Sequence, residues 1–301
     1  MEGTGDIRKI TLKASGMDFP ALETGSGPLV LLLHGFPDHN RTWRLQMPAL
    51  AAAGFRAIAP VMRGYSPSCQ PRDNDYHVIR MAEDVLGWMD CLGETKCHLV
   101  GHDWGAIVTY ASGTIAPDRF HSLTTLAVPH LRRMPTGLRE LPGQIRNSWY
   151  MIFFQLRILA DVIVERNDWA FIERLWRDWS PGWQWPPEEM AELKKTFGQP
   201  GVRKAALNYY RAFFDPLSQA SRDTRAATTA RINVPTLALT GEADGCMDTR
   251  LYDIVMRAED FPGGLQVERV KGTGHFLHQE NPVEVNRLVL NWIRAHQPET
   301  R

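Results

Sequence analysis

The spacing of apolar positions changes along this chain. Ile7–Lys13 and Met17–Leu22 alternate apolar and polar residues, the pattern of half-buried strands. Leu29-Val30-Leu31-Leu32-Leu33 is apolar without a break and ends at His34-Gly35, which suits a strand covered on both faces. Phe55–Pro60, Cys97–Gly101 and Leu123–Val128 read as further strands, with helices over Met81–Leu92 and from Ile107–Ser112 onward. Strands and helices alternating in this way predict an α/β fold, with a mostly parallel central sheet flanked by helices. From about His130 to Thr229 the alternation stops. That segment is rich in Trp, Arg, Phe and Leu, has helical patterns near 144–162, 168–178, 187–196 and 201–213, and shows no strand. Strand and helix return at Val234–Leu239, Leu265–Val270 and Pro282–His296. The expected domains are a core, 1–129 and 230–301, and an all-helical insertion, 130–229.

Composition narrows the partners. The chain has 301 residues, and its 34 Lys and Arg balance 34 Asp and Glu. A neutral chain has no long-range field for polyanions, which argues against nucleic acid as the main partner. There is no polybasic stretch for a membrane surface. The most apolar long segment, Trp149 to Val164, is broken by Gln155, Arg157 and Asp161 and is too short and polar to span a bilayer. It is expected to form a helix facing an internal cavity or the core. The first ten residues lack the apolar region of a signal peptide, and the four cysteines include no CxxC pair. Reduced thiols and a cytoplasmic location are the expectation, and a homodimer is the base-rate guess for assembly.

Three segments carry candidate chemistry. Gly101-His102-Asp103-Trp104-Gly105 lies between an expected strand and an expected helix, with the pattern G-x-D-x-G. Small residues suit the sharp turn that lifts the central side chain above the sheet, where helix N–H groups favour an anion. His34-Gly35-Phe36-Pro37 follows another strand and can aim a backbone N–H at that turn, so Phe36 and Trp104 are the expected oxyanion donors. Gly241-Glu242-Ala243-Asp244 and Gly272-Thr273-Gly274-His275-Phe276 follow the last two strands. The order nucleophile, acid, histidine is that of the α/β-hydrolase triad, with His275 as base and Asp244 orienting it.

On these motifs the chain resembles an α/β-hydrolase with a helical cap, and most of all the epoxide hydrolases, over roughly residues 6–297. The motifs are strong for the fold and are shared with dehalogenases. An aspartate nucleophile suits saturated carbon. Serine attack there would leave an ether, whereas a carboxylate leaves an ester that water can cleave at the carbonyl of Asp103. Epoxides and alkyl halides both qualify as substrates.

The insertion favours the epoxide. Arg146–Met151 and Leu207–Arg211 resemble the cap segments that carry the paired tyrosines of epoxide hydrolases, and Tyr150 and Tyr210 match those positions. The resemblance implies that these phenols donate to the epoxide oxygen, with water as co-substrate and no metal or organic cofactor. Pro37, Trp149, Tyr209 and Phe276, beside the motif residues, are expected to line the substrate pocket. A haloalkane or haloacetate dehalogenase using the same Asp103 is the alternative, although Trp104, Ile107 and Phe36 stand where those enzymes carry halide- or carboxylate-binding residues. A non-enzymatic binder keeping the pocket would have a broken triad, and here every role is filled. Glu242 and Asp248 compete with Asp244, Asp248 being expected to cap a helix near 249–258. His278 is expected to be structural, Cys246 to be inert filler, and Pro37 to follow a cis bond as in relatives. Val61 and Ser66 depart from the family's pattern around Arg63-Gly64-Tyr65, which implies altered local hydrogen bonding.

Overall fold

In the computed structural model, which describes residues 6–298, the alternating N-terminal segments form β1 (Arg8–Ala14) and β2 (Met17–Thr24). The apolar run becomes β3 (Leu29–Leu33), followed by α1 (Met47–Ala52), β4 (Arg56–Pro60), α2 (Val78–Cys91), β5 (Cys97–His102), α3 (Trp104–Ile115) and β6 (Phe120–Leu126). A wholly helical stretch follows: α4 (Met134–Glu140), α5 (Gly143–Asn147), α6 (Trp149–Phe153), α7 (Arg157–Trp179), α8 (Pro187–Phe197), α9 (Val202–Phe213) and α10 (Gln219–Thr229). The sheet then resumes with β7 (Thr236–Gly241), α11 (Leu251–Val255), β8 (Leu265–Val270), α12 (Leu277–Glu280) and α13 (Pro282–Ala295). Residues 1–5 and 299–301, on which part of the signal-peptide expectation and both ends of the expected core fall, lie outside the described residues.

One eight-stranded sheet runs β1-β2-β4-β3-β5-β6-β7-β8. Pairing is antiparallel only at β1–β2 and β2–β4, and parallel from β4 to β8. The unbroken apolar run of β3 has a direct reason. Leu29, Leu31 and Leu33 enter the core on one face of the sheet, and Val30 and Leu32 the core on the other. The helical stretch is tied to the sheet layer at both ends, α4 packing on α11 and α10 on α2 and α3.

The segment Trp149–Val164 meets the expectation on one side only. It breaks between α6 and α7; Tyr150, Met151 and Ile152 line a cavity and Phe154, Ala160 and Val164 are buried, whereas Leu156, Ile158 and Val162 are exposed. A window apolar on all sides gives no periodic signal to say which side is covered. No helix among the described residues is long and apolar enough to cross a membrane.

Around Arg63 the hydrogen bonding has a clear arrangement. Its guanidinium holds both carboxylate oxygens of Asp84 at 2.7 Å, and Ser15 donates to the same group at 2.6 Å. Arg63 and Asp84 are both buried. Burial works against the charged guanidinium, and the hydrogen bonds and charge of Asp84 more than offset this, so its pKa rises. Removing one partner strands a buried charge, so Asp84→Ala is expected to destabilise the fold by about 3–5 kcal/mol. Urea denaturation checks this. Arg63→Met with Asp84→Leu should cost less than Asp84→Ala alone, because no charge is then left unpaired.

Candidate active site

All the motif residues leave the sheet at the C-terminal ends of parallel strands, the edge where open α/β sheets bind ligands. β5 delivers Asp103, β3 delivers Phe36, β7 delivers Asp244 and β8 delivers His275. Asp103 itself carries the strain of the turn, with φ 53° and ψ −116° immediately before α3. The flanking glycines serve close packing, since neither Gly101 nor Gly105 has positive φ. At Gly105 a Cβ would lie 2.3 Å from the Leu33 carbonyl oxygen, so only glycine lets α3 start against β3.

The structure brings the three expected triad residues together. His275 Nε2 lies 3.6 Å from Asp103 Oδ2, and its Nδ1 lies 3.0 Å from Asp244 Oδ2. Asp244 Oδ1 also accepts from the amides of Cys246 at 2.8 Å and Met247 at 2.9 Å, which fixes the carboxylate. The competing acids turn elsewhere. Glu242 accepts from Gly272 N, and Asp248 accepts from the amide and guanidinium of Arg250. Asp248 thus closes a turn before α11 and does not cap the helix as expected: α11 begins later, at Leu251, with Arg250 at its N-cap position.

Burial alone would push the His275 imidazole down. The charges and hydrogen bonds of Asp244 and Asp103 more than reverse this and raise its pKa to about 10. Phe36 N donates to Asp103 Oδ1 at 2.7 Å across the cis Phe36-Pro37 corner. The Trp104 amide opens α3 directly after Asp103.

Above Asp103 lies a cavity of about 560 Å³, within the size range of small-molecule sites. Asp103, Trp104, Tyr150 and Tyr210 line it. Among the described residues, the Tyr210 hydroxyl, beside the Trp104 ring, makes no hydrogen bond of good geometry. The Tyr150 hydroxyl has the Cys246 Sγ at 3.3 Å. Burial, reinforced at Tyr210 by the Asp103 charge, keeps both phenols protonated far above their ordinary range. Cys246 is therefore a cavity wall in contact with Tyr150, a correction to its expected role as filler.

The four residues expected to line the pocket lie off the cavity lining. Tyr209 is turned away from the cavity and donates to the Arg63 carbonyl. Trp149 lies at the surface of the helical stretch against Phe153 and Phe171, under Arg174. The Pro37 carbonyl accepts from Trp176 Nε1, and Phe276 packs on Trp176 and Trp183. Conversely, sequence reasoning missed Trp179. Its carbonyl accepts from both Gly245 N at 3.0 Å and His275 N at 3.1 Å, so the helical stretch holds the acid and histidine loops together. A carbonyl contact of this kind leaves no side-chain signal in the sequence.

Among the described residues, two buried groups could bring metal-ligating atoms together: Asp244, Cys246 and His275, which include two triad members, and Asp38, His102 and His278. In the second group, His102 Nε2 bonds the His275 carbonyl at 2.9 Å and His278 Nε2 lies 2.5 Å from Thr42 Oγ1. Both rings thus brace the loop that carries His275.

Residues 28–282 match the alpha/beta hydrolase fold family. The chain is 31% identical to an epoxide hydrolase of Caballeronia sordidicola, covering 97% of this chain and 95% of that one. It is 30% identical to epoxide hydrolase A of Mycobacterium tuberculosis, covering 93% and 95%. The crystal structure of an epoxide hydrolase from Vigna radiata superposes with a TM-score of 0.80 at 28% identity, covering 96% of this chain and 98% of that one. This chain is a hydrolase and belongs to the epoxide hydrolase family of the α/β-hydrolase fold.

Proposed function

We propose that the protein converts an epoxide to a vicinal diol through an ester on Asp103. The observation that carries this reading is a single cavity in which a carboxylate 3.6 Å from a buried imidazole faces two phenols. In this reading residues 130–229, which hold α4 to α10, form a cap over the core. Tyr150 and Tyr210 donate to the epoxide oxygen, and Asp103 attacks a ring carbon from the side opposite the breaking C–O bond. One phenol gives its proton to the departing alkoxide while the other keeps a hydrogen bond to that oxygen, leaving a hydroxyalkyl ester, and the phenolate takes up the proton that the His275 imidazolium releases once the ester has formed. His275, held by Asp244, then takes a proton from water as that water attacks the ester carbonyl. The Phe36 and Trp104 amides stabilise the oxyanion, and collapse expels the diol oxygen, which takes the second water proton, and restores the carboxylate and the imidazolium. The 2.7 Å bond from Phe36 N to Asp103 Oδ1 supports this step, since that oxygen becomes the ester carbonyl oxygen when Oδ2 attacks. The four unpaired cysteines support a reducing compartment such as the cytoplasm.

Oxygen labelling tests the route. In a single turnover with excess enzyme in heavy-oxygen water, the label is expected in the Asp103 carboxylate and not in the diol, because water attacks the side-chain carbonyl. Label appearing directly in the diol would mean that water opens the ring itself. Halide release from haloalkanes or haloacetate, with no diol from epoxides, would assign the same aspartate to dehalogenation.

A further inference from the structure

Helix α10 carries Ser221, Thr224, Arg225, Thr228 and Thr229 at helical spacing, and all of them line the cavity above Asp103. Much of the remaining wall is apolar, including Ile107, Met134, Phe213 and Met247. One helix therefore lays a polar stripe along a largely greasy chamber. The hydroxyl protons are mostly committed: Thr228 donates to the Thr224 carbonyl at 2.8 Å, Thr229 to the Arg225 carbonyl at 2.7 Å, and Ser221 to the Asp215 carbonyl. Arg225 differs from its neighbours. Among the described residues its guanidinium has neither a carboxylate within ion-pair distance nor a hydrogen bond, whereas Arg222 is held by Gln219 and the Leu217 carbonyl. Asp223, two positions away, lies on another side of the helix and accepts from Gln219.

Among the described residues, Arg225 is the only cation lining the cavity and Asp103 the only carboxylate. Asp103 is buried at the base, and Arg225 is exposed at the rim. A ligand carrying a negative group is repelled by the first and attracted by the second, so the pair fixes its direction. The rim position matters, because the guanidinium can hold an anion without either charge losing all its water. We propose that Arg225 is a specificity residue that binds the carboxylate of an amphiphilic epoxide, whose apolar segment spans the chamber and whose ring meets Asp103 and the two tyrosines. The assignment rests on the epoxide reading of the site.

The test compares three substrates: styrene oxide, an ω-epoxyundecanoate, and the methyl ester of that acid. Wild type is expected to favour the acid over its ester by about tenfold in kcat/KM at low salt, mainly through KM, and to lose this advantage as salt rises. Arg225→Gln should abolish the preference by raising KM for the acid about tenfold, with a smaller change for the ester and styrene oxide. Equal rates on acid and ester in wild type, or an equal fall on both in the variant, would overturn the assignment. Binding of undecanoate, which has no epoxide, is measured separately by calorimetry and should be weakened about tenfold by Arg225→Gln. That arm is independent of turnover: no diol from any substrate rejects the epoxide reading, while no undecanoate binding to wild type rejects the anion subsite.

Discussion

His275→Gln is expected to stop the enzyme halfway, with a covalent adduct on Asp103. Intact-protein mass should rise by the mass of one substrate within the first turnover, while steady-state diol formation falls by at least about 10³-fold. The charge distribution explains why the two half-reactions separate. In the resting site the imidazole stands between Asp103 and Asp244 and, with a pKa raised to about 10, carries a proton at neutral pH. Esterification turns Asp103 into a neutral group and removes one of the two charges holding that proton. The imidazole pKa therefore falls once the ester exists, and the ring becomes a base when a base is first needed. Glutamine can keep a hydrogen bond to Asp244 and fill similar space, but it cannot accept the proton from water. Ring opening does not use that proton transfer and should survive. A variant that turns over normally, or that never gains mass on exposure to an epoxide, would contradict the ester route.

How much of this arrangement the chain announces depends on the kind of signal. β3 and β5 were legible because strands covered on both faces must be apolar at every position, and each ends in glycine-containing turns. The relation among Asp103, Asp244 and His275 was legible because chemistry restricts which residue types can follow those strands. The helical stretch was less so. α4 and α10 escaped notice because the repeating face of α10 is made of hydroxyls and Arg225, and periodicity was sought in apolar residues. The pocket lining was misjudged by adjacency. Tyr209 sits next to Tyr210 in sequence, but successive helical residues point about 100° apart, which turns Tyr209 toward the Arg63 carbonyl and Tyr210 toward Asp103. The same rotation separates Trp149 from Tyr150 on α6. Neighbourhood along the chain is a guide to lining only where the backbone is extended or tightly turned, as at Asp103 and Trp104.

Tyr150→Phe combined with Tyr210→Phe is expected to suppress formation of the Asp103 ester by about 10⁴-fold or more, read as the burst rate in rapid-mixing experiments. Each single variant should lose less, about 10- to 100-fold, because one phenol can still donate to the epoxide oxygen. The two should be unequal. Among the described residues the Tyr210 hydroxyl has no acceptor of good hydrogen-bond geometry, whereas the Tyr150 hydroxyl already pairs with the Cys246 sulfur, a weak partner. Tyr210→Phe is therefore the more damaging single change. Phenylalanine preserves the ring contacts of Tyr210 with Phe36, Trp104 and Phe154 and of Tyr150 with Trp179, so thermal stability should change little. The hydroxyls must act on ring opening and not on ester hydrolysis, since the alkoxide charge they neutralise has gone once the ester forms. Pre-formed ester should accordingly decay at the wild-type rate in either single variant. A double variant that still alkylates Asp103 rapidly would show that the ring opens without the phenols, and the assignment of the cap residues would then fail while the Asp103–His275 chemistry stood.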